Sequence, residues 1–403
     1  MKKLISNQIS PNLKFTDFLI GLSGIFSLRK EINFEQFFGT KNYFLCNAAR
    51  TGLSKIIEVL DIPESKKTVG IPAFCCSVMA TPFLSKNFKI IWIDTDKNGN
   101  MSYKDFVRKA NTISVLLIPH IFGQKLEIDK FYTICQKKNI FCIEDEAHSF
   151  TPKHSEQAFQ ANAKILSFGR EKTFSCVSGG AVLWKKKSPF HKKFIKAGKA
   201  LPKAKKTWTT QHLFQIFIFS IAIPWWFYGG KLFPWLSQKL KLLPLAITPS
   251  EKEGKENFPQ TTLSFPLQKI LYRQLSQAKK IQKHRKTIAQ EWKKTLSALF
   301  PKSEIIIPPN FFRVILKIDK IHTRNKFLSY FKKEGFFLQE WDGHPIAPQN
   351  VNLKNFQYKT GLCPNAETFT KTYLTFPTNI RTNQKDILTF KRFFTSQKHI
   401  FLL

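Results

Sequence analysis

From residue 42 onward the chain alternates short apolar runs with stretches whose apolar residues recur every three or four positions. "NYFLC" (42–46) reads as a strand. The next residues read as a helix, because Leu53, Ile56, Ile57 and Leu60 stand at i, i+3, i+4 and i+7. "TVGIPAF" predicts a strand ending at Pro72, "FKIIWID" predicts another, and a helix is expected from about Tyr103 to Ala110. "ISVLLIPH" is almost unbroken by polar residues, as in a strand covered on both faces. "DKFYTICQKKN" reads as a helix, and "IFCIEDEAH", "KILSFG" and "GGAVLW" as three further strands. This β-α-β alternation with short links predicts an α/β fold with a mainly parallel central sheet flanked by helices. In such sheets functional groups gather beyond the carboxyl ends of the strands.

After residue 256 the rhythm changes. One long helix is expected from about Ser264 to Leu299, followed by "SEIIIPPN", "FFRVILKI", a helix near 323–334, the strand "YLTFPT" and a terminal helix. That sequence of elements predicts a smaller α+β domain over 256–403, set against a large domain over 1–184 that begins with an N-terminal arm (1–40). A chain of 403 residues is long enough for two to three units. The stretch 185–255 fits neither pattern and reads as an insertion.

Charge sharpens the picture of that insertion. The chain carries 64 Lys and Arg against 27 Asp and Glu, a formal net charge of +37. No Asp or Glu occurs between Glu171 and Glu251, and residues 185–206 hold a dense run of lysines. Residues 213–230 are then free of charge, with Trp225, Trp226 and Tyr228 at their end and Trp235 just beyond. Eighteen uncharged residues just reach the length of a membrane span, but Pro224 interrupts them and a crossing would divide one globular chain between two compartments. A segment lying on an anionic membrane surface is a second reading, with an apolar body, boundary aromatics and lysines for headgroups. A helix buried in the insertion or in a dimer contact is the third. Basic residues gathered here, rather than interleaved with aromatics across a sheet, do not point to nucleic acid.

Seven cysteines, without paired spacing and without a zinc-type Cys/His pattern, predict a reduced, cytoplasmic chain and no metal site. The first residues lack the apolar core of a signal peptide, so export is not expected. No Walker loop and no GxGxxG occurs.

Two segments carry candidate chemistry. "CIEDEAHSF" sets Glu144, Asp145 and His148 where a buried strand ends, and acids there need a positive partner. Asp145 can equally cap the next segment, and His148 can be a neutral core histidine. "ILSFGREKTFSCVSGG" carries Ser167 and, five residues on, Lys172, before two glycines that permit a tight turn or close backbone approach. Taken alone, Lys172 also fits a surface lysine ahead of a hairpin.

In order along the chain, these pieces resemble the DegT/DnrJ/EryC1/StrS family of sugar aminotransferases, pyridoxal 5'-phosphate (PLP) enzymes of the aspartate-aminotransferase fold type I. "ARTGLSKIIEVL" is similar to the family's phosphate-binding helix start, "VGIPAFCCSVMATPF" to its P-x-x-T segment and "IEDEAHSF" to its E-D-x-A-[HQ]. "ILSFGREKTFSCVSGG" resembles the S-F-x-x-x-K segment, "TLSFPLQKILYRQL" the R-[ML]-S-x-x-Q-A helix, and "LCPNAE" with "LTFPT" the C-terminal motifs. The resemblance implies that Lys172 forms the internal Schiff base and acts as general base, a task that needs a lowered pKa. It implies that Asp145 keeps the pyridine nitrogen protonated, and that His148 meets the phenolic oxygen or covers the ring. Ser167 and the N–H groups near Arg50 and Thr51 would bind the phosphate at a helix N-terminus.

The sequence also departs from the family. Cys76 stands where an aromatic residue usually stacks on the ring, and "FPQTTLSFPLQ" lacks the Asn and Arg through which a partner subunit usually reaches the cofactor phosphate. In one branch of the family the lysine is a histidine and the enzyme dehydrates; Lys172 argues against that branch. The implied activity is amino transfer, from glutamate, to a keto-sugar carried on a nucleotide or, given the membrane-leaning segment, on a lipid. The expected assembly is a homodimer with sites at the subunit interface. The alternative is a non-catalytic PLP-fold protein serving as a membrane-associated assembly or regulatory partner.

Overall fold

The computed structural model of the 403-residue chain describes residues 2–9, 12–28, 31–152, 160–318, 321–338 and 343–397. Seven strands form the main sheet: β1 (Tyr43–Cys46), β2 (Thr68–Pro72), β3 (Lys89–Ile93), β4 (Val115–Pro119), β5 (Phe141–Asp145), β6 (Ala163–Ser167) and β7 (Gly180–Trp184). Their order is β1-β7-β6-β5-β4-β2-β3. Every pair is parallel except those made by β7, which runs against both β1 and β6. The expected α/β fold with a mainly parallel sheet is therefore what the chain adopts. All five residues of β4 are buried, which accounts for its nearly unbroken apolar sequence.

Register decides which residues meet at the carboxyl edge. Pro119 pairs with Asp145, while Gly180 faces Cys46 on one side and Ser167 on the other. The first turn of the Ala49–Leu60 helix sits directly over Gly180. An added Cβ there would stand 2.6 Å from the Ala49 nitrogen and 2.7 Å from the Ala48 carbonyl carbon. Only glycine lets helix and strand approach so closely.

The C-terminal part has a three-stranded antiparallel sheet of Ile305–Ile306, Arg313–Lys317 and Tyr373–Pro377. Its core gathers Trp292, Phe327, Phe331, Phe390 and Phe394. The long helix expected over 264–299 is two helices, Phe265–Ser276 and Ala278–Leu299, because Gln277 (φ −94°, ψ 10°) steps out of helical geometry. The N-terminal arm reaches across the molecule: Ile5–Ser6 pairs in parallel with Phe336–Phe337, and the Phe15–Ile25 helix packs on Phe265–Ser276.

The uncharged stretch divides in two. A helix at Lys206–Ala222 buries Leu213, Ile216, Ile218 and Phe219 against the N-terminal helix and its neighbours. It has 17 residues, and among the described residues no helix is long and apolar enough to cross a membrane, which removes the spanning reading. Beyond it the chain turns through Gly229 (φ 94°) into a Leu232–Lys239 helix. There Trp225, Tyr228, Leu232, Phe233, Trp235 and Leu236 are each more than half exposed.

Candidate active site

The carboxyl edge of the sheet opens into a cavity of about 430 Å³. Arg50, Cys76, Asp145, His148, Ser167 and Lys172, drawn from four separate segments of sequence, all line it. Thr51 does not. Its hydroxyl donates to Asn47 Oδ1 (2.7 Å), its N–H donates to the Ala48 carbonyl (3.0 Å), and it is fully buried. The reason lies in the start of the helix. The N-cap is Ala48, which has no side chain to accept a hydrogen bond, and the helix begins at Ala49. Ala49 and Arg50 are thus the first two helical residues, and their N–H groups precede the hydrogen-bond ladder. The anion-ready donors sit one residue earlier than the sequence suggested.

Lys172 follows β6 on a loop held at both ends. Its N–H donates to Gly169 O (3.0 Å), and its carbonyl accepts from Asn12 Nδ2 (2.7 Å). Burial pushes the ammonium pKa down, opposed by the nearby Glu171 and Asp145. Gly169 lies between the two loop candidates: a Cβ there would stand 3.6 Å from Ser167 Oγ and 4.0 Å from Lys172 Cγ. Asp145 Oδ1 accepts the Ala147 N–H (2.7 Å), so the capping role holds for one oxygen while the carboxylate also faces the cavity. Burial raises its pKa, opposed by Ala147, Lys172 and His120. A ring cation placed opposite would reverse that push.

His148 is held as a neutral ring. Its Nδ1 accepts from the Phe122 N–H (3.2 Å), and Phe312 stacks on it at 4.7 Å. Burial drives its pKa well below the ordinary value, helped by the charges of Lys172 and Arg313. Cys76 faces the cavity with a thiol whose pKa burial pushes upward, so it contributes a small neutral surface at the position where the family resemblance would set an aromatic ring.

Glu144 points away from the site into a buried network. His120 Nδ1 accepts from the Leu126 N–H (3.1 Å), so Nε2 carries the proton and donates to Glu144 Oε1 (2.9 Å). Lys164 Nζ meets Glu144 Oε2 at 2.9 Å and Glu146 Oε1 at 2.7 Å. Burial raises the Glu144 pKa, but His120 and Lys164 outweigh it and bring the group down to about 2. This is the positive company that two acids at a buried strand end require.

One component of the site was not legible in the sequence. Residues 244–248 and 257–259, from the end of the acid-free insertion onward, close one wall of the cavity. Arg50 anchors them: Nη1 donates to Ala246 O (2.9 Å), Nε lies 2.9 Å from the fully buried Glu251, and the guanidinium sits 4.7 Å over Phe258. Arg50 therefore neither reaches into solvent nor points freely at an anion. Asn47 completes the clasp by donating to Pro259 O (2.5 Å). The only prior signal was that Glu251 ends the acid-free run.

A model of the DegT/DnrJ/EryC1/StrS aminotransferase family matches residues 20–211. Over those residues, a little under half of the chain, the chain is similar to that family. A UDP-4-amino-4,6-dideoxy-N-acetyl-beta-L-altrosamine transaminase of Campylobacter jejuni is 23% identical over 154 residues. That match covers 37% of this chain and 40% of the relative, well under two thirds of its length. Two solved structures match almost end to end. One is the putative sugar aminotransferase Spr1654 from Streptococcus pneumoniae in its PMP-form, with TM-score 0.73 and 14% identity over 99% of this chain and 98% of that one. The other is Helicobacter pylori PseC, an aminotransferase involved in pseudoaminic acid biosynthesis, with TM-score 0.73 and 14% identity over 97% and 98%. The fold of these two structures is thus shared across nearly the whole chain.

PLP, the cofactor of this family, suits the residues present. The cavity is within the range of small-molecule sites. Free amide donors at a helix start, the Ser167 hydroxyl, a buried acid and a lysine of lowered pKa are the groups that a phosphate, a pyridine nitrogen and an aldehyde require.

Proposed function

We propose that this protein is a PLP-dependent aminotransferase that moves an amino group, from glutamate, to a keto-sugar carried on a nucleotide or a lipid. The observation that carries this reading is the convergence of Lys172, Asp145 and Ser167 with an uncapped helix start around one cavity. When bound, PLP supplies an electron sink for the carbon that loses its proton. Ala49 and Arg50 would hold the phosphate through their N–H groups, together with Ser167. Asp145 would hold a proton on the ring nitrogen. Lys172, neutral more readily because it is buried, would take and return the proton of the substrate carbon.

The exposed aromatic and leucine residues of 225–245, flanked by Lys231, Lys239 and Lys241, support peripheral attachment to an anionic membrane surface on the cytoplasmic side. Because the Lys206–Ala222 helix is part of the core, flotation on anionic vesicles is best compared with Trp225→Ser/Trp235→Ser/Leu236→Ser rather than with a deletion. Equal flotation would refute attachment. We further read the working unit as a homodimer.

The deciding experiment is the absorbance of the purified protein with PLP. A band near the visible edge, absent in Lys172→Ala and converted by glutamate to the pyridoxamine form, supports transamination. A protein that remains colourless with added PLP sinks it. That colourless outcome would favour a non-catalytic role, to which the engagement of Arg50 with Glu251 and the Cys76 surface also lend weight.

A further inference from the structure

Next to the reaction cavity lies a second cleft of about 480 Å³. Its walls are Phe219, Trp226, Leu232 and Trp235, and its charged members are Arg170 and Lys231. Arg170 lines both spaces, so the two adjoin within two residues of Lys172. We propose that this cleft binds the phosphate and first chain carbons of a lipid-phosphate carrier, whose sugar then reaches Lys172. The inference rests on the aminotransferase reading and names the carrier that this reading left open.

Three observations carry it. First, Lys231 stands in a stretch with no acid in the sequence from 172 to 250, so its neutralisation must come from elsewhere. Arg170 has only Glu171, at 3.6 Å, as an ion-pair partner among the described residues, and its buried Nε donates to no group there. Its guanidinium lies 5.7 Å over the Phe219 ring, at the boundary of charge and apolar wall. An anionic group set between Arg170 and Lys231 would satisfy both.

Second, the rest of the cleft is apolar. Gln238 is the one uncharged polar side chain among its lining residues, too little to read the edge of a nucleobase, whereas a hydrocarbon chain needs only the walls. Third, the cleft continues into exposed apolar surface. Leu232 and Trp235 line it while more than half exposed, and Phe233, Leu236 and Leu240 extend the same surface outward. A chain that begins at Arg170 therefore has an apolar path to a bilayer, whereas a nucleotide would meet that surface without use for it.

Farnesyl phosphate, used below its micelle threshold, is the probe, with tryptophan fluorescence of the full-length protein as readout. Saturable binding is expected, at least tenfold tighter than that of farnesol, inorganic phosphate or UDP. Lys231→Gln should weaken it about fivefold and Trp235→Ala about tenfold, each with an unchanged melting curve and an unchanged PLP absorbance band. Three results would overturn the proposal: UDP binding as tightly as farnesyl phosphate, both variants binding the probe like wild type, or both losing affinity for phosphatidylglycerol vesicles while keeping the probe. The last outcome would make the cleft a bilayer contact only. Failure of the aminotransferase reading shows separately, as a wild-type protein without a PLP band, whatever the titration gives.

Discussion

Replacing Gly180 by alanine tests whether the helix start at Ala49–Arg50 is a phosphate cradle. The new Cβ would lie 2.6 Å from the Ala49 nitrogen and 2.7 Å from both the Ala48 carbonyl carbon and Ala49 Cα. Non-bonded heavy atoms settle at about 3.5 Å, so the helix start or the strand must shift by roughly 0.9 Å. Backbone atoms cannot swing aside as a long side chain would, and β7 is pinned on both edges, to Cys46 and to Ser167. The movement therefore falls on the first turn of the helix, whose N–H groups would hold the phosphate. Overpacking of this kind costs about 1–3 kcal/mol of stability. Losing one charge-assisted hydrogen bond costs about 1.5–3 kcal/mol, or roughly 10- to 150-fold in affinity. The assay is a spectroscopic titration of wild type and Gly180→Ala with PLP and, separately, with pyridoxal. PLP affinity should fall by that factor while the weaker pyridoxal affinity stays within about twofold. A folded variant that binds PLP as wild type does would refute the cradle, and an equal loss for both ligands would mean that the whole site had shifted.

Other consequences are open to measurement. Arg50→Ala strands the buried Glu251 carboxylate, and breaking such a pair costs about 3–5 kcal/mol; trypsin should then cut faster at Lys252 and Lys255, and Arg50→Ala/Glu251→Gln should restore part of the protection. His148 has a folded pKa well below 6.5, so the unfolded chain binds the extra proton as the pH falls beneath 6.5 and stability drops. Between pH 6.5 and 5 the loss reaches at most about 2 kcal/mol, and the urea midpoint of His148→Gln should fall correspondingly less over that interval.

The strand and helix pattern was readable because burial on a sheet or a helix face is written in apolar periodicity. "ISVLLIPH" and the Leu53–Leu60 spacing became β4 and the Ala49–Leu60 helix with little change. That Lys172, Asp145 and Ser167 line one cavity was foreseeable, because they close or follow neighbouring strands and such ends collect at one edge. The placement of Thr51 was not readable. It depended on where the helix begins, and an alanine N-cap gives no sequence signal for that. The break at Gln277 was hidden for a similar reason: a glutamine suits a helix interior, and only packing takes it out.

Sequence alone determined the α/β alternation, the candidate cofactor set and the acid-free basic segment, since each is a property of residue type and spacing along the chain. Only the tertiary structure decided the contacts between distant positions. It clasped Arg50 to Ala246 and Glu251, set residues 244–259 over the cavity, and split the uncharged stretch into a core helix and an exposed aromatic surface. An arginine can serve any anion within reach, and an apolar residue any face that lacks water. Which anion and which face are settled by what the fold brings beside them.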